Sequence, residues 1–350
     1  MLFFLLFCCA CATAQWQALE THTTESLRGI SAFNQDFVWA SGTHGTYLFT
    51  QNGGKSWTTG QVPGAEALDF RGVVSFGFDA FLLAAGPGEQ SRIYHTTHLG
   101  ADWVLQFTNQ EPKGFLDCMA FFPDQVHGLV VGDPVNGKFQ VLRTENAGAS
   151  WQYADPRKMP AAVPGEGAFA ASNSCLTTEG KKNAWFATGG SAARVFRSTD
   201  GGKSWKVSAT PIVHGPASAG VFSIAFQDSR QGVIAGGDYA KPDSEGPGLA
   251  ESDNGGKSWR LVNTTKQTYF SAVSFVSAGP GAPRPSRSSW LAVVGASVNA
   301  FSKTGLRTWE FFGAEGFNAL SAVPEGPVFA AGSGGRISKA GLGQCGAPCQ

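Results

Sequence analysis

The sequence lacks the features that would place it in several large functional classes. Its 26 basic and 26 acidic side chains cancel, so no overall field attracts it to nucleic acid or to an acidic membrane surface. Beyond its first 14 residues it has no apolar stretch long enough to span a bilayer. It has no phosphate-binding loop and no dinucleotide fingerprint between a strand and a helix. We therefore expect no nucleic-acid partner, no transmembrane span and no cofactor.

Methionine is also scarce, and this scarcity accompanies an abundance of glycine and phenylalanine. The 350 residues include three Met, 46 Gly and 27 Phe, and 42% of them are hydrophobic. A chain of this length can bury a sizeable core. Its composition favours many short strands joined by tight turns over long helices.

The N-terminus is an apolar run, MLFFLLFCCACATAQW, that closes in Ala12-Thr13-Ala14. This is the small-x-small pattern that signal peptidase accepts, so we expect residues 1–14 to be a signal peptide and the protein to be periplasmic or extracellular. The absence of a basic residue before the run suggests a translation start further upstream. The alternatives are a buried first strand and a lipid anchor on Cys11, but Cys8 stands where a lipoprotein signal has an aliphatic residue.

Six tryptophans mark an internal repeat. Each closes an eight-residue frame with a hydroxyl residue first, Asp or Asn usually third, Gly fifth and Trp eighth. The copies are TQNGGKSW (50–57), TTHLGADW (96–103), TENAGASW (144–151), STDGGKSW (198–205), SDNGGKSW (252–259) and the degenerate SKTGLRTW (302–309). Successive tryptophans lie 46 to 54 residues apart, a period typical of a propeller or another repeat array.

Each repeat predicts a four-stranded antiparallel meander, which is one propeller blade. In residues 221–262, VFSIAF alternates as a strand, GVIAGG is a strand of small residues, and GLAES and WRLV flank the tryptophan turn. Trp16 stands at the start of a fourth strand with no three strands before it, whereas residues 316–340 supply three strands without a closing tryptophan. We therefore predict an all-β, seven-bladed propeller over residues 15–340, closed by the N-terminal strand, and a tail at 341–350. A six-bladed ring would leave Trp16 unpaired.

The repeated turn predicts a structural role. Its Asp or Asn, for example Asp200, is expected to accept backbone N–H groups, and the next residues are expected to adopt positive φ. The tryptophans would then pack against the sheets: Trp16, Trp57, Trp103, Trp151, Trp205, Trp259 and Trp309. A calcium loop would need several acidic ligands, but each copy has one residue at the capping place, which His98 or Asn52 can fill. We expect no metal.

These segments resemble the Asp-box (BNR) repeat, S-x-D-x-G-x-x-W, of sialidases, sortilin-type receptors, xyloglucanases and photosystem II stability/assembly factor-like propellers. The resemblance covers nearly the whole chain after residue 14, and it implies a fold more firmly than a function. The single exported propeller is most similar to the assembly-factor-like group. A sialidase would carry Arg-Ile-Pro near the first blade, whereas Arg28 is followed by Gly29, so we expect no sialidase.

Four cysteines remain after residue 14: Cys118, Cys175, Cys345 and Cys349. In an exported protein they could form two structural disulfides, and spacing alone does not choose among three connectivities. Cys118 and Cys175 fall on inner strands of neighbouring repeats, which makes a bridge between them plausible. Cys345 and Cys349 resemble the closure of a small terminal loop.

Candidate binding residues gather on the rim opposite the Asp-box turns, which propeller ligands generally use, as the sialidase resemblance implies. The loops there carry Asp133, Glu166, Arg194, His214, Asp238, Tyr239 and Lys241. Carboxylates can accept sugar or peptide donors, and Arg194 can bind an anion. The expected partner is therefore a protein or a carbohydrate.

The sequence thus predicts an exported, monomeric, non-catalytic binding or assembly scaffold. The alternative is a carbohydrate-active hydrolase or lyase, because glycoside hydrolysis needs paired carboxylates and Asp133, Glu166 and Asp238 could supply them. A third hypothesis is that the outer blade edges bind the partner. No serine-hydrolase or oxidoreductase motif is present.

Overall fold

Antiparallel four-stranded sheets form nearly all the regular structure of this chain. The computed structural model describes residues 15–264, 266–276, 290–302, 306–323 and 326–341. Up to residue 179 the strands are β1 (Gln17–Leu19), β2 (Leu27–Ala32), β3 (Val38–Gly42), β4 (Thr46–Thr50), β5 (Thr58–Gln61), β6 (Phe70–Phe76), β7 (Asp79–Ala84), β8 (Arg92–Thr96), β9 (Val104–Thr108), β10 (Leu116–Phe121), β11 (Gly128–Val135), β12 (Lys138–Thr144), β13 (Gln152–Tyr153), β14 (Glu166–Gly167) and β15 (Leu176–Glu179). They are followed by β16 (Asn183–Ala187), β17 (Gly189–Gly190), β18 (Arg194–Ser198), β19 (Lys206–Ala209), β20 (Ala219–Phe226), β21 (Gly232–Asp238), β22 (Leu249–Ser252), β23 (Arg260–Leu261), β24 (Ala272–Val276), β25 (Trp290–Val294), β26 (Asn299–Ser302), β27 (Trp309–Phe311), β28 (Ala319–Ala322), β29 (Val328–Ala331) and β30 (Ile337–Ala340).

The strands form seven blades, which confirms the predicted seven-bladed all-β propeller. Blades one to three are β2–β5, β6–β9 and β10–β13; blade four is β15, β16, β18 and β19; blades five and six are β20–β23 and β24–β27; blade seven is β28–β30 with β1. The short strands β14 and β17 extend the sheet of blade five. Within the described ranges, two 3-10 helices interrupt the connections, at Gly88–Gln90 and Pro156–Lys158. No helix in the described part of the chain has the length and apolarity needed to cross a membrane.

Blade seven combines strands from both ends of the described chain. Strand β1 pairs antiparallel with β30, with Gln17 opposite Lys339 and Leu19 opposite Ile337. The preceding Trp16 packs its ring 5.0 Å from that of Phe317. The N-terminal strand is therefore the outermost strand of the last blade.

The hydrophobic core lies between blades. One cluster joins Phe81 of blade two to Phe121 and Trp151 of blade three, with ring centroids 4.8 Å apart for Phe81–Phe121 and 5.6 Å apart for Phe121–Trp151. Burial of such rings is the main favourable contribution to folding. Because a single blade leaves one apolar face uncovered, each blade needs its neighbour.

Hydrogen bonds and backbone geometry explain the Asp-box turns. In the copy at 198–205, the side chain of Asp200 accepts the Ser204 N–H at 2.9 Å, and Gly201 and Gly202 have φ of 75° and 78°. Both features confirm the predicted turn chemistry. The first-position Ser198, to which the sequence analysis gave no role, accepts the Gly202 N–H at 2.9 Å.

In the copies that have it, the fifth-position glycine of the box also fixes the spacing between blades. A Cβ on Gly202 would lie 2.6 Å from Leu129 of the preceding blade, and one on Gly54 would lie 2.5 Å from Leu19. Both glycines also have positive φ, 83° for Gly54 and 78° for Gly202, which favours glycine at this place. The box glycine therefore packs its blade closely against the blade before it.

A disulfide joins Cys118 on β10 to Cys175, the residue before β15, with Cα atoms 5.9 Å apart. Both cysteines are fully buried. The bridge therefore links the innermost strands of blades three and four. Cys345, Cys349 and the predicted signal peptide at 1–14 lie outside the described residues.

Candidate functional site

The blade crossings and the loops between second and third strands share one rim. In blade one, the Gly45 N–H donates to the Leu68 carbonyl at 2.7 Å, and the Val62 N–H donates to the Gly45 carbonyl at 2.9 Å. The Asp-box turn at 50–57 joins the other ends of the strands. We call the first rim the crossing rim, and it is the rim on which the sequence analysis placed the ligand.

Four innermost strands have a β-bulge in their first half, toward this rim. The strand pairing skips one residue in each of β2, β6, β10 and β20. The skipped residues are Arg28, Arg71, Asp117 and Phe222. A bulge re-aims the side chain of its extra residue and is frequent beside functional sites. We call the part of the ring that surrounds these four residues, at the crossing-rim end of the innermost strands, the channel mouth.

Residues 166–175, which we call the channel segment, run between the innermost strands of several blades. The Ser172 hydroxyl donates to the Ser271 carbonyl at 3.4 Å, next to blade six. The Asn173 side chain accepts the Met119 N–H at 2.8 Å and donates to the Met119 carbonyl at 3.1 Å, in blade three. One segment thus reaches strands on opposite sides of the ring, so it occupies the central channel.

Aromatic rings form one wall of the channel mouth. The Phe222 ring stacks on Phe169 at 4.0 Å between centroids and meets Tyr269 edge-on at 5.1 Å and Tyr239 at 5.9 Å. Burial raises the pKa of Tyr269, although the positive charge of Arg28 opposes this shift. The Tyr269 phenol therefore keeps its proton at neutral pH.

Asp117 of the channel mouth and Asp133 are neighbouring carboxyl groups. Burial raises the pKa of Asp117 well above its usual range, and the negative charge of Asp133 adds to the effect, whereas Arg71 opposes it. The Oδ2 atom of Asp117 is buried without a hydrogen-bond partner among the described residues. Burial also raises the pKa of Asp133, although its Oδ1 accepts the Ala168 N–H at 2.9 Å.

Two of the predicted site residues, Glu166 and Arg194, bind each other. The Arg194 Nε donates to Glu166 Oε1 at 2.9 Å, and its Nη2 donates to Oε2. The Thr188 hydroxyl adds a 2.6 Å bond to Oε1, and the Val163 N–H adds a 2.9 Å bond to Oε2. The Glu166 side chain has no exposed surface. The pair therefore joins the crossing loop to β18, and neither charge is left unpaired.

A cavity of about 650 Å³ opens on the crossing rim beside this ion pair. It is lined by Lys113, Asp133, Pro134, Gly137, Ala162, Val163, Pro164, Gly165, Glu166, Gly167, Ala168, Phe169, Gly189, Gly190 and Ala217. The predicted residues Asp133 and Glu166 thus share this cavity. Of the other predicted residues, Tyr239 belongs to the aromatic wall and is 54% exposed.

Five predicted residues do not line the cavity: Arg194 and Tyr239, described above, and His214, Asp238 and Lys241. The Nδ1 of His214 lies 3.0 Å from the Ile212 carbonyl oxygen. The Asp238 carboxylate accepts the N–H of Ala240 at 3.0 Å. These polar contacts of His214 and Asp238 are made within their own loops.

Sequence reasoning missed four residues of the channel mouth: Arg28, Arg71, Asp117 and Tyr269. Three of them carried a signal, because an apolar, a charged and a small residue follow one another in LRG (27–29), FRG (70–72) and LDC (116–118). A charge at the same place in three inner strands indicates a shared level of the ring. Tyr269 carried no comparable signal.

The fold and the turns together define a seven-bladed propeller built on Asp-box turns. Residues 196–207 match the family model of the BNR/Asp-box repeat. Comparison with curated protein sequences finds no match. The predicted resemblance to Asp-box propellers is thus confirmed for the repeat and the fold.

Among solved structures, the chain is similar to YCF48 bound to D1 peptide, with a TM-score of 0.60, 16% identity, and coverage of 94% of this chain and 95% of that chain. YCF48 from Cyanidioschyzon merolae gives a TM-score of 0.62 and 17% identity, over 93% and 98% of the two chains. The GH74 xyloglucanase from Xanthomonas campestris gives 0.65 and 14%, over 96% of this chain but 55% of the enzyme. At these identities the likeness concerns the fold alone.

Proposed function

We propose that this protein is a non-catalytic scaffold that binds an extended peptide segment of a partner protein at the crossing rim. The observation that carries the proposal is the cavity of about 650 Å³ between the loops of blades three to five. Its volume lies within the range of about 300–1,000 Å³ that ligand sites occupy. It also adjoins the aromatic wall through Phe169, which lines the cavity and stacks on Phe222.

The lining favours a main chain as ligand. Gly165, Gly167, Gly189 and Gly190 all line the cavity. Since glycine has no side chain, an extended peptide can approach this backbone closely. A solved structure with the same fold, YCF48 bound to D1 peptide, supports peptide binding by such a propeller.

The polar contacts argue against the paired carboxylates of the sequence-based alternative. Both oxygens of Glu166 already accept hydrogen bonds from Arg194 and other donors, so this group is not free to exchange a proton with a substrate. Asp238 does not line the cavity. Of the three carboxylates considered, Asp133 alone remains suitably placed.

A blocked cavity tests the proposal. Ala217 lines the cavity and is exposed, so Ala217→Trp fills the space without touching the core. The purified protein is panned against a random dodecapeptide phage library, and the enriched peptides are synthesised. We expect Ala217→Trp to weaken their binding at least tenfold in fluorescence anisotropy.

The matched control is Ala101→Trp, an exposed alanine in the Asp-box turn at 96–103. We expect it to bind the peptides as the wild type does. Equal binding by Ala217→Trp, or no enrichment over an empty support, would contradict the proposal.

One observation favours a second candidate, a glycoside hydrolase. Asp117 and Asp133 are neighbours whose pKa values are both raised, and glycosidases use a protonated carboxyl beside an ionised one. The acid would then be Asp117, which replaces Glu166 in the earlier hypothesis. Sugar release from xyloglucan or another polysaccharide, abolished in both Asp117→Asn and Asp133→Asn, would support this candidate over the scaffold.

Export is a further part of the proposal. A disulfide between Cys118 and Cys175 is in keeping with an oxidising compartment. N-terminal sequencing of the mature protein is expected to begin at Gln15, and a product that retains residues 1–14 would contradict export by this route.

A further inference from the structure

Arg28 and Arg71 occupy equivalent places in neighbouring blades. Each is the bulge residue near the start of an innermost strand, β2 in blade one and β6 in blade two. Both bulges lie at the crossing-rim end of their strands. Because a bulge re-aims its extra residue, two guanidinium groups are brought to the same side of the channel mouth.

These guanidiniums are partly buried and have few partners within the protein. The Arg28 guanidinium makes no hydrogen bond and no ion pair with any residue that the structure describes, and burial lowers its pKa, as does the positive charge of Arg71. The Nε of Arg71 is buried without a partner among the same residues. Its other contacts are long, 3.4 Å to the Ala170 carbonyl and 3.6 Å to the Asp69 carboxylate. Partly buried charge with so few partners is costly and calls for an explanation.

The nearby acids do not neutralise the pair. Asp69 is the one carboxylate within ion-pairing distance of either guanidinium among the described residues. Burial raises the pKa of Asp117 well above its usual range, which favours its neutral form. Two guanidiniums and one carboxylate therefore leave one positive charge at this side of the mouth.

The local charge and shape suit a carboxylate. A guanidinium presents parallel N–H donors that match the two oxygens of a carboxylate. One net positive charge balances a carboxylate, whereas a phosphate monoester carries a charge of about −1.5 to −2 at pH 7. The Tyr269 phenol, which keeps its proton, faces the same mouth and interacts with the charge of Arg28.

We infer that Arg28 and Arg71 form a binding site for a carboxylate, supplied by an acidic side chain of the bound peptide. The source of the carboxylate rests on the proposed function; the anion site itself does not. The partner segment would then carry Asp or Glu where it crosses the channel mouth.

The test uses minimal probes and the whole chain. Acetyl-Gly-Glu-Gly-amide is titrated against its glutamine counterpart and against inorganic phosphate, with the arginine Nε–H signals followed by NMR. We expect the glutamyl probe to shift the Arg28 and Arg71 signals, and the glutamine probe and phosphate to bind at least tenfold more weakly. Arg28→Gln and Arg71→Gln should each weaken the glutamyl probe at least tenfold.

Arg336→Gln is the matched control, because Arg336 is exposed on the same rim and donates to the Gly316 carbonyl at 2.7 Å. It should leave the binding unchanged.

Without ligand, Arg28→Gln should unfold at the same temperature as the wild type or at a higher one, since it removes an unpaired charge. Equal binding of the glutamine probe, tighter binding of phosphate, or a lower unfolding temperature of Arg28→Gln would overturn the inference. Library peptides that bind through the cavity but lack acidic residues would refute this inference and leave the proposed function standing.

Discussion

The Glu166 carboxylate and the Arg194 guanidinium form a two-point ion pair that closes the crossing loop of blade four onto β18. Nε of the arginine lies 2.9 Å from Oε1, and the glutamate side chain is fully buried whereas 17% of the arginine is exposed. The sequence predicts both as ligand residues. Their mutual pairing instead indicates that they shape the wall of the cavity.

Breaking this pair should destabilise the protein. Glu166→Gln leaves the Arg194 charge largely buried and unpaired, so we expect the free energy of unfolding in urea to fall by about 3 kcal/mol. The comparison is Glu145→Gln, because Glu145 pairs with Arg143 but is 62% exposed, and surface pairs contribute about 1 kcal/mol or less. Equal effects of the two variants would mean that the ion pair has no structural role.

The Asp-box turns should tolerate asparagine better than alanine at the third position. Asp200→Ala removes the acceptor of the Ser204 N–H and should cost about 1–2 kcal/mol of unfolding free energy. Asp200→Asn should cost much less, since Asn52, Asn146 and Asn254 accept the equivalent N–H groups. A variant series in which Asn and Ala are equally unstable would contradict this role.

The same turn predicts that the stability of the fold changes at acidic pH. Burial alone would raise the pKa of Asp200, but hydrogen bonds from Ser204 and Ser198 bring it below its usual value. A lowered pKa in the folded state stabilises at neutral pH, and this stabilisation is lost as the pH falls through that pKa. Thermal unfolding should therefore show the gap between wild type and Asp200→Ala narrowing below about pH 4.

The contribution of Asp117 to stability should have the opposite pH dependence. Burial raises the pKa of Asp117 in the folded state. Its stabilising contribution is therefore full at a pH below the pKa of the unfolded state, and it is lost as the pH rises through the pKa of the folded state. Asp117→Asn replaces the carboxyl by an amide that does not titrate. We expect the variant to be more stable than the wild type at pH 7.5, with a smaller gain at pH 4. A gain independent of pH would point to packing as its cause.

The disulfide should contribute measurably to stability. It closes a loop with a sequence separation of 57 residues, for which the chain-entropy estimate is about 4 kcal/mol. The double variant Cys118→Ala/Cys175→Ala should unfold at a lower urea concentration than the wild type. Wild type unfolded under strong reducing conditions should resemble the variant, and a variant as stable as the oxidised wild type would contradict the estimate.

The strands and turns could be predicted from sequence because their causes are local. Alternation along a strand such as VFSIAF and the spacing of Asp200 from Trp205 are readable without knowing any partner. The seven-blade count followed from the same local pattern, since Trp16 lacks three strands of its own. The sequence left the disulfide pairing open and made a bridge between Cys118 and Cys175 plausible, and the structure has this bridge.

The channel mouth could not be predicted because its causes are non-local. A bulge such as that at Arg28 exists only relative to the pairing register of the next strand. The path of the channel segment depends on contacts such as Asn173 to the Val73 carbonyl, 100 residues away in sequence. The polarity of a loop likewise does not reveal that Glu166 and Arg194 form an ion pair with each other.

The pairing of β1 with β30 has a mechanical consequence. Gln17 faces Lys339 and Leu19 faces Ile337, so the start of one strand lies beside the end of the other. A force applied outward to both strands from that side would peel their few hydrogen bonds apart in succession, because antiparallel bonds lie perpendicular to the strands. Under tension the ring should therefore open first at this seam, at a lower force than a sheared pair of the same length would withstand.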